Sequence, residues 1–131
     1  MTLVRTASRE RLTAENRPSG CPAYSAGRFR LRAVGTSRFD RHFHDYDEFW
    51  FVAAGTGTIH VGDTVHQVEP GDIIYTQAGV EHDVVAVTSD RDLEVFWLSW
   101  SLPPGASGRH LHRTLADATK HLVPSKTASA T

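Results

Sequence analysis

His42-Phe43-His44-Asp45-Tyr46-Asp47-Glu48 sets two imidazoles and a carboxylate at even offsets from one another. Successive side chains of an extended strand alternate between faces, so His42, His44 and Glu48 point the same way wherever the strand runs straight. One face then offers two nitrogens and a carboxylate oxygen. A divalent metal needs about that much, plus one more ligand and an open position, to bind firmly and still meet a substrate. The sequel Phe49-Trp50-Phe51-Val52-Ala53-Ala54 is apolar on both faces, which predicts a strand buried between two layers.

Short strands surround this centre. Phe29 to Val34 alternates apolar with basic residues, the period of a strand with one wet face. Thr58–Val61, the turn Gly62-Asp63 and Thr64–Val68 read as a hairpin. Ile73–Thr76 is a further strand, then Val80–Val87, in which His82, Val84 and Ala86 share a face. In Leu93–Trp100, Leu93, Val95 and Trp97 lie on one side and Phe96, Leu98 and Trp100 on the other. Glycine turns separate the strands without βαβ alternation, which argues for an antiparallel sandwich or barrel. Residues 1–22 read as a polar N-terminal arm, 23–102 as the barrel, and 103–131 as a loop, a short helix over Leu115–Leu122 capped by Thr114, and a disordered tail from Pro124.

Composition excludes several classes. The 131 residues suffice for one domain with a real core, and a formal net charge of -1 gives no electrostatic reason to expect nucleic acid or an anionic membrane as partner. No apolar run approaches the roughly 18 to 20 residues that span a bilayer, and the charged N-terminus lacks the apolar segment of a secretory signal. A cytoplasmic location is the expectation. A single cysteine, Cys21, rules out an intrachain disulfide framework, and its Ser-Gly-Cys-Pro setting reads as structural or incidental.

The order Gly35, six residues, His42-Phe43-His44, three residues, Glu48, six residues, Gly55 resembles the first motif of the cupin family. The run from Gly71 to His82 resembles the second, with Gln77 in place of a usual proline and Ala86 in place of a frequent asparagine. The resemblance spans roughly residues 29–100. It implies an all-β, cupin-type double-stranded β-helix (jelly-roll barrel) with His42, His44, Glu48 and His82 around one metal inside. Three imidazoles and a carboxylate suit Fe(II), Mn(II), Co(II), Ni(II) or Zn(II), with open positions for water, O2 or a chelating substrate.

Other side chains are weighed beside these four. Trp50 shares parity with Glu48 and is a candidate pocket wall, as is Trp97. Tyr75 could donate a proton to a metal-bound substrate, against the simpler reading of a buried tyrosine satisfied by backbone. By parity Asp45, Asp47, Glu81 and Asp83 point away from the metal, with Glu81 the candidate general base among them and Glu48 catalytic as well as ligating. His60 and His66 read as surface residues. His110 and His112 repeat the His-x-His spacing between Arg109 and Arg113 without a carboxylate partner, and read as an exposed segment.

Neither a Walker-type loop nor a dinucleotide glycine run is present, so the expected partner is a small oxygenated molecule, sugar-like or ketide-like. The first reading is redox-neutral isomerase, cyclase or lyase chemistry with the metal as Lewis acid. A cupin dioxygenase and a non-enzymatic sensing module are the alternatives. Cupins are commonly dimers, and open sheet edges together with the N-terminal arm give a route to a homodimer.

Overall fold

The computed structural model of the protein describes residues 3–125. Nine strands run through them: β1 (Ser25–Leu31), β2 (Ser37–Phe39), β3 (Glu48–Ala54), β4 (Gly57–Val61), β5 (Thr64–Val68), β6 (Ile73–Thr76), β7 (His82–Val87), β8 (Leu93–Ser99) and β9 (His121–Val123). They form a four-stranded sheet in the order β1-β8-β3-β6, a three-stranded sheet in the order β5-β4-β7, and the pair β2-β9. Every pairing between these strands is antiparallel. The fold is all-β, as a jelly roll requires. Among the described residues no helix is long and apolar enough to cross a membrane.

The core lies between the sheets. Leu93 and Val95 of β8, Trp50 and Val52 of β3, Ile59 of β4 and Val84 of β7 meet there, several with no accessible surface. The alternation in Leu93–Ser99 therefore sorts as its sequence predicts, with Phe96 and Trp100 on the outside. The hairpin joining β4 to β5 has the predicted bounds, Val61 pairing with Thr64 across Gly62-Asp63.

Two expectations fail, one of parity and one of burial. In β7, Thr58 pairs with Ala86 and Ile59 with Val84, so Val85 is an extra residue in a bulge. Val87 rather than Ala86 then continues the buried face begun by Val84. In β3, Glu48, Trp50, Val52 and Ala54 are buried while Phe51 is exposed, so the strand is covered on one face and not on both. Its outer face carries an aromatic row instead, with Phe49 packed against Phe51 and against Tyr75 of β6.

The two ends of the chain are more structured than their composition suggests. A short 3₁₀ turn at Thr6–Ser8 leads to Leu12, which bridges Ala26 on the edge of β1. The predicted helix is capped by Thr114, whose hydroxyl accepts the Asp117 N–H, but it is only the short α1 (Leu115–Ala118). His121–Val123 then pairs with β2, and Val123 enters the core. A four-residue turn buries nothing, so the apolar residues beyond it gain more as a strand. Pro124 and Ser125 are docked on β7 through Val87, which corrects the disorder expected there. The rest of the expected tail, 126–131, lies outside the described residues.

Candidate metal centre

His42 and His44 precede β3 on a segment held by isolated bridges rather than a full ladder. His42 bridges His82 at the start of β7, and Phe43 bridges Leu111. A bend at Asp45 and Tyr46 separates them from Glu48 at the start of β3. Burial nevertheless alternates without interruption, with Asp40, His42, His44, Tyr46, Glu48 and Trp50 all buried. The even spacing thus survives the bend.

The four predicted donors converge. His42 Nε2 and His82 Nε2 lie 2.9 Å apart, His82 Nε2 lies 3.8 Å from Glu48 Oε1, and His44 Nδ1 lies 3.8 Å from Glu48 Oε2. One compact group of potential ligand atoms, all within 4.8 Å of one another, is His44, Glu48 and His82; a second is His42, His44 and His110. The arrangement fits a cation on two counts. Metal–imidazole bonds of about 2.1 Å at a right angle set their nitrogens roughly 3 Å apart, close to the contact between His42 and His82. His44 Nε2 and His82 Nδ1 are also buried without a hydrogen-bond partner among the described residues, a costly state that ligation at His44 would relieve.

Neighbouring side chains fix the donors. Glu48 Oε1 accepts from the Trp50 indole at 2.7 Å and Oε2 from the Ser99 hydroxyl at 2.8 Å. His42 donates from Nδ1 to the Asp40 carbonyl at 2.7 Å, leaving Nε2 to face His82. Tyr46 stacks on His44 at 4.5 Å. The Asp40 carboxylate receives His112 Nε2 at 2.7 Å, and His110 stacks flat on His42 at 4.0 Å. The exposed-segment reading of His110 and His112 is therefore corrected: they do have a carboxylate partner, Asp40. His112 is partly buried against it, while His110 stays exposed at the edge of the cluster.

Electrostatics follow burial. Desolvation, then the charge of His42, pushes the His44 imidazole down to about 3. The same causes, with His44 added, hold His82 well below the ordinary histidine range. Burial raises the Glu48 carboxyl against the pull of Ser99 and Trp50. At Asp40 burial acts upward, but hydrogen bonds from His110, His42 and His112 win and keep the carboxyl far below its usual range.

A pH prediction follows with a definite sign. His44 and His82 are neutral when folded and protonate at about 6.5 when unfolded, so below that pH the unfolded chain binds more protons. Their contribution to stability is present above pH of about 6.5 and is lost as pH falls toward about 3, where folded His44 itself protonates. The slope is roughly 1 kcal/mol per pH unit for each histidine. Glu48 and His121, both raised in the fold, work the other way, Glu48 from the carboxylate range, which lies below most of this window. The melting temperature of chelator-treated protein should therefore drop steadily from pH 7 to pH 5; a flat profile would mean the two imidazoles are not held neutral.

Two of the donors, His42 and Glu48, line a cavity of about 690 Å³ whose wall includes Phe29, Phe39, Trp50 and Trp97. The two tryptophans expected to wall a pocket, Trp50 and Trp97, both line it. Trp97 lies so close over β1 that a Cβ on Gly27 would meet its ring at 2.4 Å, so glycine there gives the indole its seat. Tyr75 and Glu81 are placed elsewhere. Tyr75 pairs with Phe49 on the outer face, opposite to Glu48, and is 48% exposed. Glu81 is engaged by Arg41 at 3.3 Å and Arg113 at 3.4 Å and does not line the cavity. Asp45 accepts the Ser107 and Gly108 N–H groups, Asp47 accepts that of Ala78, and Asp83 pairs with His121, so this acidic set pins loops.

Asp40, Tyr46 and Ser99 are residues the sequence reading passed over, although parity could have found them. Asp40 and Tyr46 share the even register of His42, and Ser99 that of Trp97. For His110 and His112 there was no such signal, because their position depends on how a loop rich in proline and glycine folds back.

Comparison with known proteins agrees with this fold. A family model described as "Cupin domain" matches residues 31–99, just over half of the chain. An uncharacterized protein of Sinorhizobium fredii, y4oW, is 42% identical over 55 residues, covering 42% of this chain and 26% of that protein. The alignment thus spans about a quarter of that relative's length. Among solved structures, a cupin protein from Bacteroides fragilis superposes with a TM-score of 0.58 at 14% identity, covering 91% of this chain and 92% of that one. A predicted oxalate decarboxylase from Thermotoga maritima gives 0.54 at 24% identity over 62% of this chain and 69% of that one. Salicylate 1,2-dioxygenase from Pseudoaminobacter salicylatoxidans gives 0.50 at 17% identity over 60% and 20%. At these identities the likeness is one of fold, and one fold hosts many chemistries.

Proposed function

The chain belongs to the cupin family, and from that premise we propose that it is a metal-dependent enzyme acting on a small oxygenated molecule, sugar-like or ketide-like, by redox-neutral isomerase, cyclase or lyase chemistry. The observation that carries this reading is the meeting of four donor side chains from two segments, His42, His44 and Glu48 from one and His82 from the other, beside an aromatic-walled cavity. In this reading those four hold one divalent ion of iron, manganese, nickel, cobalt or zinc. Such an ion supplies Lewis-acid polarisation of a substrate carbonyl or hydroxyl.

The rest is the protein's own part. Trp50 and Ser99 each donate to one oxygen of Glu48, so the carboxylate keeps one orientation through the reaction. Phe29, Phe39 and Trp97 present flat apolar surface to the substrate body and exclude water from the polar floor. Pairing of two copies belongs to the same reading, supported by the exposed outer-face residues Phe51, Ile73, Tyr75, Phe96 and Trp100.

Elemental analysis of protein purified without added metal, followed by turnover of candidate oxygenated substrates under argon, tests the proposal. Zinc, manganese, nickel or cobalt near one equivalent per chain, with turnover that needs no O2, is the expected result. Iron with O2 uptake would replace the reading by a dioxygenase. A ligand bound tightly and recovered unchanged with every metal would replace it by a sensing module.

A further inference from the structure

The cavity differs in sign from the chain that encloses it. The sequence holds 15 acidic and 14 basic side chains. The cavity lining nevertheless includes five cationic side chains, Arg11, Arg28, Arg30, Arg38 and Lys120, against three carboxylates, Glu15, Asp40 and Glu48. Two of those carboxylates are engaged: Asp40 receives His112, and Glu48 receives Trp50 and Ser99. Two of the cations are matched as well, Arg28 by Glu94 at 2.8 Å and Arg30 by Asp92 at 3.6 Å.

Arg11, Arg38 and Lys120 remain, against the one carboxylate Glu15. None of them makes an ion pair among the described residues. They come from three segments: the N-terminal arm, β2 and the approach to β9. Arg38 Nη1 donates to the Lys120 carbonyl at 3.3 Å, which holds two of the three segments together. All three side chains belong to exposed residues, so they mark the mouth, while Trp50, His42 and Glu48 of the same lining are buried.

We infer that the mouth of this cavity binds small organic anions, a carboxylate or phosphate head on a flat apolar body, through Arg11, Arg38 and Lys120. Unmatched cations beside low-dielectric walls concentrate the field on whatever enters, and arginine presents paired N–H groups that fit a carboxylate or phosphate edge. The body then lies along Phe29, Phe39 and Trp97, where aromatic faces accept a flat partner. This narrows the substrate class of the site proposed above to its ketide-like side, and as a statement about a substrate it rests on that reading.

The test uses phenylacetate and phenylacetamide, which differ in charge and hardly in shape, with phenyl phosphate as the third probe. Binding is measured by calorimetry on full-length protein at low and high salt, in metal-loaded and chelator-treated form, with metal content read separately. Phenylacetate, phenyl phosphate or both should bind at least about tenfold tighter than phenylacetamide at low salt, with the advantage shrinking as salt is added. The preferred anion says which head the mouth takes. In the triple variant Arg11→Gln, Arg38→Gln, Lys120→Gln, whose positions are exposed and outside the core, that advantage should fall to about threefold or less. Equal binding of the three probes overturns the inference. So does an advantage that survives in the triple variant, because the anion is then held elsewhere, at the metal if chelation abolishes it. A protein that binds no metal but keeps the charge preference would end the enzyme reading and leave the anion site standing.

Discussion

Replacing His44 with alanine is expected to leave the purified protein with less than about a tenth of the metal it otherwise carries, while the fold persists. His44 belongs to both compact groups of donor atoms, so its loss breaks each of them at once. Changes to groups that only support a ligand already cost about 10- to 100-fold in metal affinity, and removing a donor should cost more. Folding should survive because the wild-type imidazole is itself a burden without metal: it is 2% exposed, and its Nε2 has no hydrogen-bond partner among the described residues. The metal-free variant should melt no lower than the metal-free parent and show a shallower loss of stability below pH of about 6.5, since one buried imidazole fewer resists protonation. Metal analysis on the variant, beside His66→Ala as an exposed control, decides the matter. Full metal content in the His44 variant would remove that residue from the centre.

The second large effect concerns the glycine that ends the first motif. Gly55 has φ of +73°, and a Cβ there would meet the Asp92 carbonyl oxygen at 2.2 Å and its carbon at 2.8 Å. Both atoms are backbone, so no side chain can swing aside. Gly55→Ala combines the strain of a left-handed residue, about 1–3 kcal/mol, with an overpacking cost of similar size. Destabilisation of about 2–6 kcal/mol is expected, a large share of what holds such a domain together. Gly71→Ala provides the comparison. Its φ is +96° but nothing lies within 4 Å of the added atom, so the strain alone should appear, about 1–3 kcal/mol. Denaturant midpoints for the two variants separate close approach from backbone conformation. Equal shifts would mean that the loop before β8 yields where it looks rigid.

What was legible in the sequence was whatever depends on period and turn chemistry. The even spacing through Glu48 and the alternation through Ser99 predicted which side chains face inward, and glycine turns marked strand ends to within a few residues. Tertiary context supplied the rest. A bulge at Val85 reversed the expected side for Ala86, because one extra residue in a strand leaves no mark on local composition. Tyr75 kept its strand but occupied the outer face, since parity within β6 is set by its pairing with β3. The C-terminal histidines were read from their flanking arginines, whereas their role depends on Asp40, some seventy residues away in the chain.

The strand His121–Val123 gives this architecture a division of labour. The family match stops at residue 99, yet the segment after it brings in His110, His112 and Lys120 and closes the hydrophobic interior with Val123. A chain stopped near residue 102 would lack Val123 from that interior and the strand that pairs with β2. Substitutions in that appended clasp can reshape what enters while the donors on the shared strands stay as they are, so entry and chemistry are free to change at different times.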